Sequence, residues 1–120
     1  MHAQILVVDD DADILDLLAE ALEDEGFGVL TASDGQQGVT LAHAATPRVI
    51  VMDLVMPVLD GGAAIRRLKD DPDTHDIPII AVSATLPPPG LTDTIPADVF
   101  LAKPFDLQVL TDAVTALLPV

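Results

Sequence analysis

The chain has 120 residues, half of them apolar, and a formal net charge of −15 from 20 acidic and 5 basic side chains. That length implies one domain with a substantial core, and the charge excludes a surface made for direct binding of nucleic acid or an anionic membrane. The absence of cysteine excludes disulfides and thiolate metal sites and fits a reducing, cytoplasmic setting. "MHAQILVVDD" has no basic leader, and no uncharged stretch is long enough to span a membrane.

The first element runs from Gln4 to Asp9, short and rich in Ile, Leu and Val, as a strand buried on both faces reads. From Ala12 to Glu25 the positions Ile14, Leu17, Leu18, Ala21 and Leu22 follow helical spacing, and Gly26 stops the helix. Phe27 to Ser33 reads as a second strand, "DGQQGVTLAHAA" as a weaker second helix, and Arg48 to Asp53 as a third strand. "GAAIRRLKD" predicts a third helix, "PIIAVSA" a fourth strand and "DVFLAK" a fifth. A last helix over Leu107 to Leu118 carries Leu107, Leu110, Val114, Leu117 and Leu118 on one stripe. Short apolar strands alternating with amphipathic helices imply an α/β domain, a parallel sheet covered on both faces. In such sheets ligands bind beyond the carboxyl ends of the strands.

Those ends are polar here. Strand one closes with Asp9 and Asp10, strand three with Asp53, strand four with Ser83 and strand five with Lys103, which is the only Lys or Arg after Lys69. Carboxylates on neighbouring strands, about 4.8 Å apart, suit a hard divalent cation such as Mg²⁺, and without one their repulsion raises at least one pKa. One carboxylate can then attack phosphorus while Lys103 and Ser83 hold phosphoryl oxygens. Asp11 and Asp13 read instead as a helix start, where acidic side chains meet unpaired amides. The calcium-loop spacing of Asp9, Asp11, Asp13 and Glu20 fails because Ile14 stands at the glycine position. His2, His43 and His75 show no ligand spacing and read as surface residues. "MPVLDGG" reads as a turn set by Pro57 and Gly61.

With "ILVVDD", "VMDLVMPVLDG", "VSA" and "FLAKPF" in this order and spacing, the chain resembles the receiver domains of two-component response regulators, close in size to the stand-alone chemotaxis type. The resemblance implies a flavodoxin-like, doubly wound five-stranded parallel sheet in the order 2-1-3-4-5. It implies Asp53 as the phosphoacceptor, Asp9 and Asp10 as the metal-binding pair and the Val55 carbonyl as a further ligand of Mg²⁺, with Mn²⁺ as a substitute. It further implies Ser83 as the switch hydroxyl, Lys103 as the phosphate-binding lysine, Phe100 as the switch aromatic and a cis Lys103–Pro104 peptide. The phosphate source would be a histidine kinase or a histidine phosphotransfer protein, and the output a downstream protein target rather than nucleic acid or membrane. The chain would be a regulatory domain that phosphorylates itself from donors and slowly loses the group, not an enzyme acting on outside substrates.

Two features depart from or modulate that pattern. Where the family places its fourth helix the chain reads "ATLPPPGLTDTIPADV", and prolines at 87, 88, 89 and 96 leave room for one helical turn at most. Val55 and Thr85 flank the site where family members vary in dephosphorylation rate, and an apolar Val55 cannot orient a water, which favours slow loss. The alternatives are a receiver-like interaction module that needs no phosphate, and a small haloacid-dehalogenase-like phosphohydrolase. The latter carries its nucleophile on the first strand and needs a longer chain for a substrate cap. No output segment follows residue 118, which suits either a stand-alone regulator or a receiver taken from a longer protein.

Overall fold

A computed structural model describes residues 4–56, 59–84 and 95–118. Five strands, β1 (Gln4–Val8), β2 (Gly28–Ala32), β3 (Val49–Asp53), β4 (Ile79–Ser83) and β5 (Val99–Ala102), form one sheet in the order β2-β1-β3-β4-β5. Every neighbouring pair is parallel. Among the described residues there are four helices, α1 (Ala12–Asp24), α2 (Gly35–Ala45), α3 (Gly61–Asp70) and α4 (Leu107–Leu117). None is long and apolar enough to cross a membrane. Residues 85–94, most of the proline-rich stretch expected to replace a helix between β4 and β5 and including Thr85, lie outside the described residues, as does Pro57.

The continuous apolar strands follow from burial on both faces. Side chains alternate along a strand, so Leu6, Val8, Ile50, Met52, Ile79 and Ala81 pack toward α2 and α3, with Ala42, Ala64, Ile65 and Leu68. Ile5, Val7, Val49, Val51, Ile80 and Val82 pack toward α1 and α4, with Leu15, Leu18, Leu22, Leu110 and Val114. β2 and β5 lie at the edges and are mostly half-buried.

Local signals set the helix ends. Asp11 caps α1, its carboxylate accepting the N–H groups of Asp13 at 3.0 Å and Ile14 at 3.3 Å. Asp34, Asp60 and Asp106 cap the other three helices in the same way. One expectation is corrected: the buried stripe of α1 is Leu15, Leu18 and Leu22, while Leu17 is 51% exposed. The helix is rolled so that the stripe runs at i, i+3 and i+7, and Leu17 turns outward. The weak helical pattern of α2 also has a packing cause, because a Cβ on Gly38 would lie 2.9 Å from the Val8 side chain. Gly38 lets α2 lie close against β1.

Candidate functional site

The strand order reverses between β1 and β3, so the two strands ending in carboxylates are neighbours. Asp9, just beyond β1, and Asp53, the last residue of β3, are buried at 2% and 7% exposure, and Asp10 beside them is exposed. One carboxylate oxygen from each of the three lies within 4.8 Å of the others. The backbone fixes the inner pair: Asp11 N–H donates to Asp9 Oδ1 at 2.9 Å and Val55 N–H donates to Asp53 Oδ1 at 3.2 Å. Val55 itself is 72% exposed.

Lys103 reaches into this cluster from the end of β5. Its Nζ donates to Asp9 Oδ2 at 2.8 Å and lies 3.5 Å from Asp53 Oδ2, and its side chain is 20% exposed. Lys103 N–H donates to Ser83 O at 2.8 Å, which ties the ends of β5 and β4 together. The Lys103–Pro104 peptide is cis. Ser83 is buried at the end of β4. The β4–β5 register pairs Ala81 with Phe100 and Ser83 with Ala102, and Phe100 is half-buried against the α2 and α3 side of the core. Ser83 and Phe100 thus share one sheet face by alternation, while Asp9, Asp53 and Lys103 continue the α1 and α4 face.

Burial raises the pKa of Asp53 above the ordinary aspartate value of 3.8. The Val55 N–H opposes that shift, the Asp9 charge adds to it, and Lys103 opposes it. The expected carboxylate repulsion is therefore present but secondary to desolvation. For Lys103, burial pulls the pKa down, but the hydrogen bond to Asp9 and the charges of Asp53 and Asp9 outweigh it, leaving a net rise above 10.5. Three carboxylates gathered at one point, two of them buried, form an all-oxygen donor set suited to a hard divalent cation.

Residues 5–115 match the family model described as the response regulator receiver domain. The chain belongs to that family. Protein PilH of Pseudomonas aeruginosa is 38% identical over 121 residues, a match covering 97% of this chain and 98% of PilH. The DNA-binding transcriptional regulator RpaA of Synechocystis is 38% identical over 120 residues, 96% of this chain but 48% of that protein. The receiver thus spans about half the length, or less, of several curated relatives that it matches. Among solved structures, chemotaxis protein CheY4 of Vibrio cholerae superposes with a TM-score of 0.90 at 28% identity, covering 98% of this chain and 100% of that one. The receiver domain of the Pseudomonas aeruginosa sensor histidine kinase PA1611, described with a magnesium ion in its active site cleft, gives 0.89 at 28% identity, with 97% of each chain covered. The fold is the CheY-like, flavodoxin-like one.

Two features of the receiver escaped sequence reading. A groove of about 320 Å³ beside Lys103 is lined by Ile14, Leu17 and Leu18 of α1 and by Pro104, Phe105 and Leu107. Away from the strand ends, His43 meets Asp71, a contact between residues 28 positions apart that no spacing rule announces.

Proposed function

We propose that this receiver accepts a phosphoryl group on Asp53 from the phosphohistidine of a kinase or phosphotransfer protein, and that the modified state alters binding of a downstream protein. The observation that carries this reading is the convergence of Asp9, Asp10 and Asp53 within 4.8 Å, with Lys103 bonded to the first and near the last. Asp9, Asp10, Asp53 and the Val55 carbonyl would hold Mg²⁺ or Mn²⁺, which when bound offsets charge on the carboxylate and the incoming phosphoryl group.

The chain's own groups do the rest. Val55 N–H holds Asp53 Oδ1, so Oδ2, which among the described residues has only its long contact to Lys103, is the attacking oxygen. An Oδ2–P bond forms as the P–N bond of phosphohistidine breaks, the electron pair leaves with the imidazole, and solvent supplies its proton. The Lys103 ammonium and the Ser83 hydroxyl hold phosphoryl oxygens, and Phe100, on the sheet face of Ser83, repacks in response. The donor protein docks in the groove beside Lys103, whose exposed Leu17 is flanked on α1 by Asp13 and Glu20 at helical spacing. An amphipathic helix with an apolar anchor and basic neighbours fits it.

Intact mass after incubation with acetyl phosphate tests the chemistry. A single phosphoryl adduct formed with Mg²⁺, absent with chelator and absent in Asp53→Ala, is expected. No adduct under any condition would favour a phosphate-independent interaction module, and steady turnover of external phosphoesters would favour a phosphohydrolase. Leu17→Asp should keep the acetyl phosphate reaction and lose labelling by any phosphohistidine protein that labels the wild type. Equal labelling of both would place the docking surface elsewhere.

A further inference from the structure

At the sheet edge remote from Asp53, the end of α2 meets the loop between α3 and β4. His43, in the last turn of α2, places Nε2 2.5 Å from Asp71 Oδ2, and Asp73 brings a second carboxylate to the same point. One ligand atom from each of the three lies within 4.8 Å of the others. An ion pair accounts for His43 and Asp71. Asp73 adds a third donor atom at the same point, beyond the two that the ion pair uses.

Hydrogen bonds hold the backbone of the loop that carries Asp71 and Asp73. Asp71 Oδ1 accepts the Asp73 N–H at 2.9 Å, leaving Oδ2 for His43. The Asp71 carbonyl accepts the N–H groups of Thr74 at 3.1 Å and His75 at 2.8 Å. The buried Thr74 hydroxyl donates to Leu68 O at 2.7 Å, and Lys69 Nζ donates to His75 O at 3.3 Å and to Ile77 O at 2.9 Å. A mixed nitrogen and oxygen set drawn from two elements differs from a patch of carboxylates alone.

We propose that His43, Asp71 and Asp73 form a second cation site, selective for a borderline transition ion such as Zn²⁺ over Mg²⁺. An imidazole nitrogen favours Zn²⁺, whereas Mg²⁺ favours oxygen donors alone. Tetrahedral zinc bonds of about 2.0–2.2 Å put neighbouring ligand atoms roughly 3.3 Å apart. The His43–Asp71 contact therefore opens by roughly 0.8 Å on binding, with loss of any proton shared between them. Three protein ligands leave a position for water. The bound ion joins α2 to the α3–β4 loop and so staples the two helices that cover one face of the sheet.

The test is a Zn²⁺ titration of the full chain in excess Mg²⁺, read by calorimetry and by backbone amide NMR. One zinc per chain is expected, with shifts concentrated at His43 and at residues 71–76 and with a rise in Tm. His43→Gln and Asp73→Asn should each weaken binding at least about tenfold. His75→Gln and Asp10→Asn should leave it unchanged. Both weakening variants should match the wild type in Tm without zinc to within a few degrees, so that loss of binding is not loss of fold. A zinc response that survives His43→Gln, that disappears in Asp10→Asn, or that never occurs overturns the proposal. None of these outcomes depends on phosphorylation of Asp53.

Discussion

Adjacent glycines at the start of α3 should respond oppositely to the same substitution. A Cβ on Gly61 would lie 1.9 Å from the Asp53 carbonyl oxygen and 2.7 Å from Leu54 Cα, whereas one on Gly62 would meet Asp60 Oδ1 at 3.3 Å and Ile95 Cδ1 at 3.5 Å. To reach an ordinary contact of 3.4 Å, Gly61→Ala must part α3 from the end of β3 by about 1.5 Å. Backbone has to yield, and the Gly61 N–H bond to Leu54 O at 3.1 Å is strained with it. Overpacking costs about 1–3 kcal/mol, here at the upper end, against a helix-propensity gain of up to about 1 kcal/mol. A net loss of about 2 kcal/mol follows, or roughly 8 °C in Tm for a domain of this size. Gly62→Ala needs only a small adjustment of side-chain ends and should gain about 0.5 kcal/mol. Because the chain lacks Trp and Tyr, far-UV circular dichroism during urea and thermal unfolding is the assay. Gly61→Ala should also slow labelling of Asp53, whose backbone it displaces. Equal stability of the two variants would refute the steric argument.

Three further outcomes follow from the site. Asp53 has a raised pKa in the fold, so its ionisation costs stability increasingly as the pH rises from 3.8 to that higher value, and fully above it. Asp53→Asn should therefore raise stability at neutral pH in chelator, and urea titrations should show the gain disappearing below about pH 3.8, the ordinary aspartate value. Lys103→Met leaves the buried Asp9 and Asp53 without their cation. With the lysine side chain 20% exposed, the cost at neutral pH should be about 1–3 kcal/mol, and calorimetry should show tighter Mg²⁺ binding once the competing ammonium is gone. Val55→Asn puts an amide where the exposed apolar side chain now stands, and timed intact-mass measurements should show severalfold faster loss of the phosphoryl group. An unchanged decay rate would mean that Val55 does not govern access of water.

Much of the candidate site's placement was legible because its residues stand at strand ends. Asp9, Asp53, Ser83 and Lys103 each close or follow an apolar run, and a parallel α/β sheet brings such ends to one edge. The roles of Asp11 and Asp13 were legible for a local reason, since capping acts within one helical turn. The roll of α1 was not, because Ile14, Leu15, Leu17 and Leu18 offer two apolar stripes and only packing against the sheet chooses Leu15. Nor did composition reveal why Gly38 and Gly61 are glycines, because the atoms they accommodate come from β1 and β3. The meeting of His43 with Asp71 depends on how α2 and α3 lie across the sheet, a relation that spacing along the chain does not carry.

The central claim is that Asp53 is the phosphoacceptor. Acyl phosphates are reduced by borohydride to an alcohol, which converts a phosphorylated aspartate to homoserine and marks the modified residue permanently. Peptide mass mapping after acetyl phosphate, Mg²⁺ and borodeuteride should place deuterated homoserine at position 53 alone. Homoserine at position 9 or 10, or none at any position in protein that carries the intact-mass adduct, would contradict the account.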